Sequence, residues 1–270
     1  SMQIAQLEQG LGVTLFERTS SGVMSTPLGA DIAHRARIIL AQLDDLVLLA
    51  ETDTKRLGGL IQLGSVASLG PYFLPQFVRA VHRKYPELRL YIREDRPIDI
   101  EKDVAEGSID CAIGPAPTHD DLAFRPIATE RIWLGIPAEH PLAARDRIAL
   151  ADLAGEPFLS LGSGHRLAET LRELAHTTGA RIIEDYAGTS LDSIRQMVSI
   201  GMGLSIFPAL YAEAELREAE DIVIKDVVGW TGERSFGVYW RAGAGRQSHF
   251  EALAEEARII AGHLGLEPAA

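Results

Sequence analysis

At 270 residues and 46% hydrophobic side chains, the chain is long enough for two or more domains and a sizeable core. Its 38 Asp and Glu outweigh 26 Lys and Arg, giving a formal net charge of −12. That balance excludes a chain devoted mainly to nucleic acid, which carries a basic footprint. The run of about 18 apolar residues that a membrane span needs is also missing.

The opening stretch is helical by its spacing. Ile4, Leu7 and Leu11 recur at i, i+3 and i+7, and Gly10 and Gly12 then punctuate the pattern. Leu15 and Phe16 are expected to pack the following turn back on that helix. Arg18, Thr19, Ser20 and Ser21 are small or basic donors suited to phosphate oxygens, which position a protein on DNA without reading its sequence. Ser1, Gln3 and Thr26 complete the candidate DNA-contacting set. On the residues alone, an ordinary amphipathic helix and hairpin is the plainer alternative. No capping signal precedes Ser1, so the chain is expected to begin inside a helix. Such helices read base edges mainly from their N-terminal residues, so this stretch by itself is expected to bind DNA poorly. No basic flank precedes an apolar run, so no signal peptide is expected and the cytoplasm is the expected location.

From Leu28 to about Lys55 there is no proline and only Gly29. Ile32, Ala36, Ile39, Leu43, Leu46 and Ala50 step by 4, 3, 4, 3 and 4, a heptad seam that wants a second helix. Leu40 and Val47 widen it. A helix of roughly 40 Å is too long for one small domain to cover, so a coiled-coil dimer is expected, with a long core helix as the alternative. Gly58-Gly59 breaks it.

Beyond the break, strand and helix patterns alternate. Strands are expected at Leu60–Val66, Leu88–Arg93 and Cys111–Gly114, with helices at Tyr72–Tyr85 and Ile98–Glu106. A second set runs from about Glu130 to Glu233. Its strands are near Ile132–Ile136, Phe158–Leu161, Ile182–Tyr186 and Leu204–Phe207, and its helices near Arg166–Thr177 and Leu191–Ile200. The chain closes with a strand at Ser235–Trp240 and a helix from Gln247 to Leu264. This alternation implies an α/β protein with mostly parallel strands.

In such sheets ligands gather at the carboxyl ends of strands. Ser68 either caps the next helix or donates to a ligand, and Leu69 and Gly70 allow backbone approach at a helix N-terminus. Arg96-Pro97 follows the second strand, where Arg96 either pairs with a ligand carboxylate or is solvated. Gly114 begins a rigid wall. His165 and Arg166 open a helix and suit an anion, local capping by His165 being the alternative. Ser190 is placed as an N-cap, and Phe207 is expected to supply an apolar floor. Cys111 lies in the apolar run Ile109–Ile113 and reads as a buried strand thiol. Scattered histidines give no metal site, and no phosphate loop, triad or acid/base pair stands out. No cofactor and no catalysis are expected.

The spacing of Ser1, Ile4, Leu7, Glu8, Leu11, Gly12, Leu15, Phe16 and Arg18, followed by Ser25-Thr26-Pro27-Leu28-Gly29, resembles the LysR-type bacterial transcription regulators. Gly70-Pro71-Tyr72-Phe73-Leu74-Pro75, Gly107-Ser108-Ile109-Asp110-Cys111-Ala112-Ile113 and Met202-Gly203-Leu204-Ser205-Ile206-Phe207-Pro208 extend the resemblance across the chain. Gly70 to Pro75 and Gly164-His165 are similar to the peroxide-sensing branch. There a redox cysteine follows that Gly-His; here the residue is Arg166, with Ala175 nine further on, so thiol sensing is not expected.

The resemblance implies a two-lobed, periplasmic-binding-protein-like effector domain behind a remnant winged helix-turn-helix and a long linker helix. It assigns residues 1–27 to the DNA-binding part, 28–57 to the linker, 58–129 and 235–270 to one regulatory subdomain, and 130–234 to the other. The implied crossings lie near Ala128–Glu130 and Arg234–Phe236. It implies a regulator that senses a small anionic effector as a homodimer or homotetramer, binds promoter DNA, and meets RNA polymerase if it activates. A solute-binding receptor of the same fold is the alternative.

Overall fold

The computed structural model describes residues 2–19, 22–50 and 57–269; the side chains of 37–38, 41–42, 44–50 and 185 are outside that description. Ser1, Ser20 and Ser21 therefore lie outside the described residues.

Helix α1 (Met2–Leu11) ends in a reversal at Gly12, whose φ is +69°. The Glu8 carboxylate holds the turn, Oε1 accepting from the Leu15 amide at 2.7 Å and the Phe16 amide at 3.1 Å. Leu15 is buried beneath it. Strands β1 (Phe16–Thr19) and β2 (Gly22–Ser25) pair antiparallel as an exposed wing. Helix α2 (Pro27–Ala50) starts behind Thr26, with Pro27 at its first position. Thr26 Oγ1 accepts from the Gly29 amide and donates to the Thr14 carbonyl, both at 2.9 Å. Thr26 is thus a buried helix cap turned inward, which corrects the expectation that it faces DNA phosphates. Along α2, Ile39, Leu40 and Leu43 stand exposed. His34 Nδ1 meets Glu106 Oε1 of the regulatory part at 2.8 Å.

The regulatory part begins with β3 (Gly59–Val66), α3 (Gly70–Lys84), β4 (Leu88–Asp95), α4 (Pro97–Ala105) and β5 (Cys111–Gly114). The long β6 (Leu122–Pro137) then leads out to β7 (Ile148–Ala149), β8 (Pro157–Leu161), α5 (Arg166–Thr178), β9 (Arg181–Gly188) and α6 (Leu191–Ser199). Next come β10 (Ser205–Pro208), α7 (Ala209–Tyr211), a π turn over Ala212–Leu216, β11 (Ile222–Lys225) and β12 (Val227–Val228). The chain returns along β13 (Glu233–Arg241) and ends in α8 (Gln247–His263) and β14 (Glu267–Pro268).

Two cores result. Phe73, Phe77, Phe236, Trp240 and Phe250 anchor the first lobe; Phe158, Phe207, Tyr211 and Ile194 anchor the second. Each such side chain contributes about 1.5–3 kcal/mol by leaving water.

The sheet is mixed, which corrects the expectation of mostly parallel strands. β3 runs parallel to β4 and β5, and β8 parallel to β9. β13 is antiparallel to β5 and β6, and β10 and β11 are antiparallel to β6. The reason is the path. β6 leaves the first lobe and β13 re-enters it alongside, so the two must oppose. Glu130 sits opposite Arg234, Thr129 opposite Ser235 and Ala128 opposite Phe236. The register slips between Phe236 and Gly237, beside Pro126, which has no amide hydrogen to donate.

Candidate functional site: the cleft between the lobes

The loop after β3 carries Ser68 and Leu69. Leu69 is buried at the head of α3. Facing them is Arg234, on the returning strand. Its Nε donates to Glu130 Oε1 at 2.6 Å, one Nη to Ser68 Oγ at 2.7 Å and the other to the Ser68 carbonyl at 3.0 Å. Glu130 is wholly buried, and its Oε2 accepts from the Leu210 amide at 3.0 Å. One buried carboxylate thus joins both crossing strands to α7, and one guanidinium hands that connection on to the Ser68 loop.

The second lobe answers with the turn before α5. Gly164 adopts φ +88° and lies so close to Ile98 of α4 that a Cβ would sit 3.0 Å from it, so a larger residue is strained twice over. His165 follows, half-buried. Burial holds its imidazole below the ordinary value, the Arg96 charge adds to that, and Asp99 opposes it. Arg166 spans the cleft, donating to Glu169 at 3.1 Å and to the Ala116 carbonyl of the first lobe at 3.3 Å.

Between these elements is a small cavity of about 30 Å3 lined by Ser68, Leu69, Pro97, Pro115, His165, Arg166, Thr170 and Arg234. Two guanidiniums line it and no carboxylate does. A neighbouring cavity of about 50 Å3 shares Ser68 and His165 and is also lined by Ser190, Asp192 and Tyr211.

Of the residues singled out in the sequence, Ser68, Leu69, Pro97, His165, Arg166 and Ser190 line these two cavities. Ser190 also caps α6, accepting from the Ser193 amide at 3.2 Å. The other three differ. Arg96 is solvated and paired with Asp99 at 2.6 Å, reaching His165 only through its charge. Gly114 is buried against Val66 and Tyr239, and Pro115 forms the wall in its place. Phe207 is no floor: it is fully buried and stacked on Tyr211 with ring centroids 5.5 Å apart, because its strand runs through the second lobe's core. Sequence reasoning missed Arg234. Its signal was a basic residue in one crossing strand and an acidic one in the other.

At the other end of the chain, Gln3, Arg18 and Thr19 are exposed. Thr19 Oγ1 also donates to the Gly22 carbonyl at 3.2 Å. Among the described residues no group of three or more His, Cys, Asp or Glu is placed to hold a metal ion. None of their helices is long and apolar enough to cross a membrane.

Residues 1–30 match the bacterial regulatory helix-turn-helix protein of the lysR family, and residues 54–259 match the LysR substrate binding domain. The chain belongs to the LysR family. A hydrogen peroxide-inducible genes activator from Pectobacterium carotovorum subsp. carotovorum is 33% identical over 260 residues, 96% of this chain and 85% of that protein. The DNA-binding transcriptional dual regulator OxyR of Escherichia coli is 32% identical over 259 residues, with the same coverage. Among solved structures, a full-length OxyR variant from Pseudomonas aeruginosa superposes with a TM-score of 0.76 at 28% identity, covering 96% of this chain and 87% of that one. A hydrogen peroxide-bound OxyR variant from Corynebacterium glutamicum gives 0.71 at 25% identity, covering 97% and 84%. This LysR-family chain is accordingly a DNA-binding transcriptional regulator with a two-lobed sensing domain, and not an enzyme. Regulators of the LysR and OxyR type bind promoter DNA and small-molecule effectors and form oligomers.

Proposed function

We propose that this regulator senses a small anion held between its lobes, and that it does so without thiol chemistry. The observation that carries the reading is the pair of guanidiniums, Arg166 and Arg234, lining a cavity that no carboxylate lines. Guanidinium and hydroxyl donors suit a carboxylate or similar anion. Ser68 belongs to the first lobe, His165 and Arg166 to the second, and Arg234 to the crossing strand, so an anion touching both lobes biases the angle between them. Such coupling requires different affinity for two states.

Peroxide acting on a thiol does not fit the residues present. Cys111 is the only cysteine of the 270, it is fully buried in β5, and burial pushes its thiol well above the ordinary value. Arg166 occupies the cleft position directly after Gly164-His165.

Residues 1–27 serve as the DNA-contacting end through Gln3, Arg18 and Thr19, and 28–57 as the dimerisation segment. The lobes are 58–129 with 235–270, and 130–234. The protein works in the cytoplasm as a homodimer or homotetramer, and contacts RNA polymerase if it activates.

The test is a thermal-shift screen against small organic acids, with peroxide as control. A ligand at a hundred times its dissociation constant adds about 2.7 kcal/mol. Acids that raise the melting temperature of the wild type and not of Arg166→Ala support the reading; shifts unchanged in Arg166→Ala sink it.

A further inference from the structure

Helix α4 has a different neighbour at each end. At its start, Pro97 lines the cleft cavity. Ile98 packs on the second lobe's turn, its Cγ2 3.0 Å from where a Gly164 Cβ would stand. The charges of Arg96 and Asp99 act on His165 across the same gap. At its other end, Glu106 closes the last turn, its amide donating to the Lys102 carbonyl at 2.9 Å. The Glu106 carboxylate lies 2.8 Å from His34 Nδ1 on the linker helix α2, and 3.6 Å from Lys102 Nζ.

The span between these ends is short and stiff. α4 covers nine residues, about 14 Å at 1.5 Å per residue. Ile100 and Val104 are fully buried and pack with Ala112 and Tyr239 of the sheet beneath. That bed is smooth under Ile100: a Cβ on Gly64 of β3 would stand 2.7 Å from the Ile100 side chain and 3.0 Å from the Ala112 methyl. Packed helices slide as units by an ångström or two while keeping their own hydrogen bonds. The linker joint is close for another reason. The Glu106 side chain is 6% exposed, and a carboxylate taken out of water depends on the groups that answer it.

We propose that α4 carries the lobe angle to the linker helix, with Ile98 as its contact on the cleft side and the Glu106–His34 pair as its contact on the linker side. Closure of the second lobe presses the Gly164 turn on Ile98. α4 shifts lengthwise over Gly64, and Glu106 displaces α2 through His34. His34 is then a positioning residue: it acts on the linker and takes no part in the cleft. The proposal rests on the reading that the lobe angle is the signal, and not on the chemistry of the ligand that sets it.

The experiment is amide hydrogen exchange by mass spectrometry on the 270-residue chain without ligand, read on residues 29–36 of α2. Wild type, Ile98→Trp, His34→Ala and the double variant are compared, each first checked for an intact melting transition. Ile98 is 59% exposed, so a larger side chain there loads the lobe contact and not the core. Arg217→Ala, on the surface of the second lobe and paired with Glu213, is the control. Ile98→Trp is expected to change exchange of residues 29–36 by about threefold or more, the scale of a modest shift in local opening, and Arg217→Ala to leave it alone. In the His34→Ala background, adding Ile98→Trp is expected to change nothing further. No effect of Ile98→Trp, an equal effect of Arg217→Ala, or an Ile98→Trp effect that persists undiminished without His34 overturns the route through α4. No anion enters this test, so its failure and the failure of the anion reading are separate results.

Discussion

Glu130 and Arg234 face each other in register on the two strands that cross between the lobes, and their side chains close the crossing with a 2.6 Å ion pair whose carboxylate is fully buried and whose guanidinium is 13% exposed. Removing one member of such a pair leaves a buried charge unanswered, at a cost of about 3–5 kcal/mol. Glu130→Ala is therefore expected to lower denaturant stability by that order. Glu130→Ala with Arg234→Met is expected to recover part of it, because the second change removes the stranded cation. Equal stability of the single variant and wild type by urea unfolding would show the pair to be dispensable.

The His165 imidazole is held below its usual value of 6.5. The unfolded chain then binds more protons than the native one just below that pH, so this residue's contribution to stability is fully present above 6.5 and is lost as pH falls. An anion bound beside it reverses the bias and draws a proton in. Acid ligands are expected to bind more tightly at pH 5.5 than at pH 8, with proton uptake visible as a buffer-dependent heat. His165→Gln is expected to flatten that dependence; an unchanged pH profile in the variant would assign it elsewhere.

Cys111 has no exposure and a raised thiol pKa, so its thiolate is scarce at neutral pH. Native protein is expected to resist maleimide and dilute hydrogen peroxide by mass spectrometry, while the urea-unfolded chain takes up one label. Rapid labelling of the native protein would reopen thiol sensing.

At the DNA-contacting end, Thr26 and Arg18 separate stability from binding. Thr26→Ala removes a buried cap and is expected to cost about 1 kcal/mol. Arg18→Ala is expected to leave the melting temperature alone and to reduce the salt dependence of DNA binding, as loss of one phosphate contact does. A melting shift for Arg18→Ala and none for Thr26→Ala would invert these roles.

Ile39 and Leu43 lie on the heptad seam and are 63% and 54% exposed in one copy. Leu43→Glu is expected to shift the sedimentation profile from dimer towards monomer without unfolding either lobe. A dimer that survives it would place the interface on the lobes instead.

Much of the architecture could be read from the residues. The strand at Cys111–Gly114 and the helices around Phe73 and Leu171 fall within one or two residues of their expected positions, because their apolar spacing is regular. The first half of β6 was not legible: Arg125 and Pro126 interrupt the alternation, and the unpaired Ile127 that bulges there shows only against a partner strand more than a hundred residues away. The site divided in the same way. Loop residues such as Ser68 and His165 announce themselves by following a strand or opening a helix. Arg234 gives no local sign, since its partners Glu130 and Ser68 are distant in sequence and only the double crossing unites them. Phe207 misled because a residue at the end of an inter-lobe strand can point into its own lobe as easily as into the gap.

The crossing itself has a mechanical meaning. Two lobes joined by separate, unpaired linkers can swing, slide and twist. Here the linkers are hydrogen-bonded to each other from Arg131 and Glu233 through Ala128 and Phe236. A paired ribbon resists shear in its own plane and yields most readily to flexing across it, and the slipped register at Gly237 marks where the ladder is thinnest. A crossing built this way is expected to favour bending of the lobes about one axis over sliding. If an effector closes the cleft, what reaches the linker helix is then one angle, and effectors of different shape could be ranked on one scale by how far they close it.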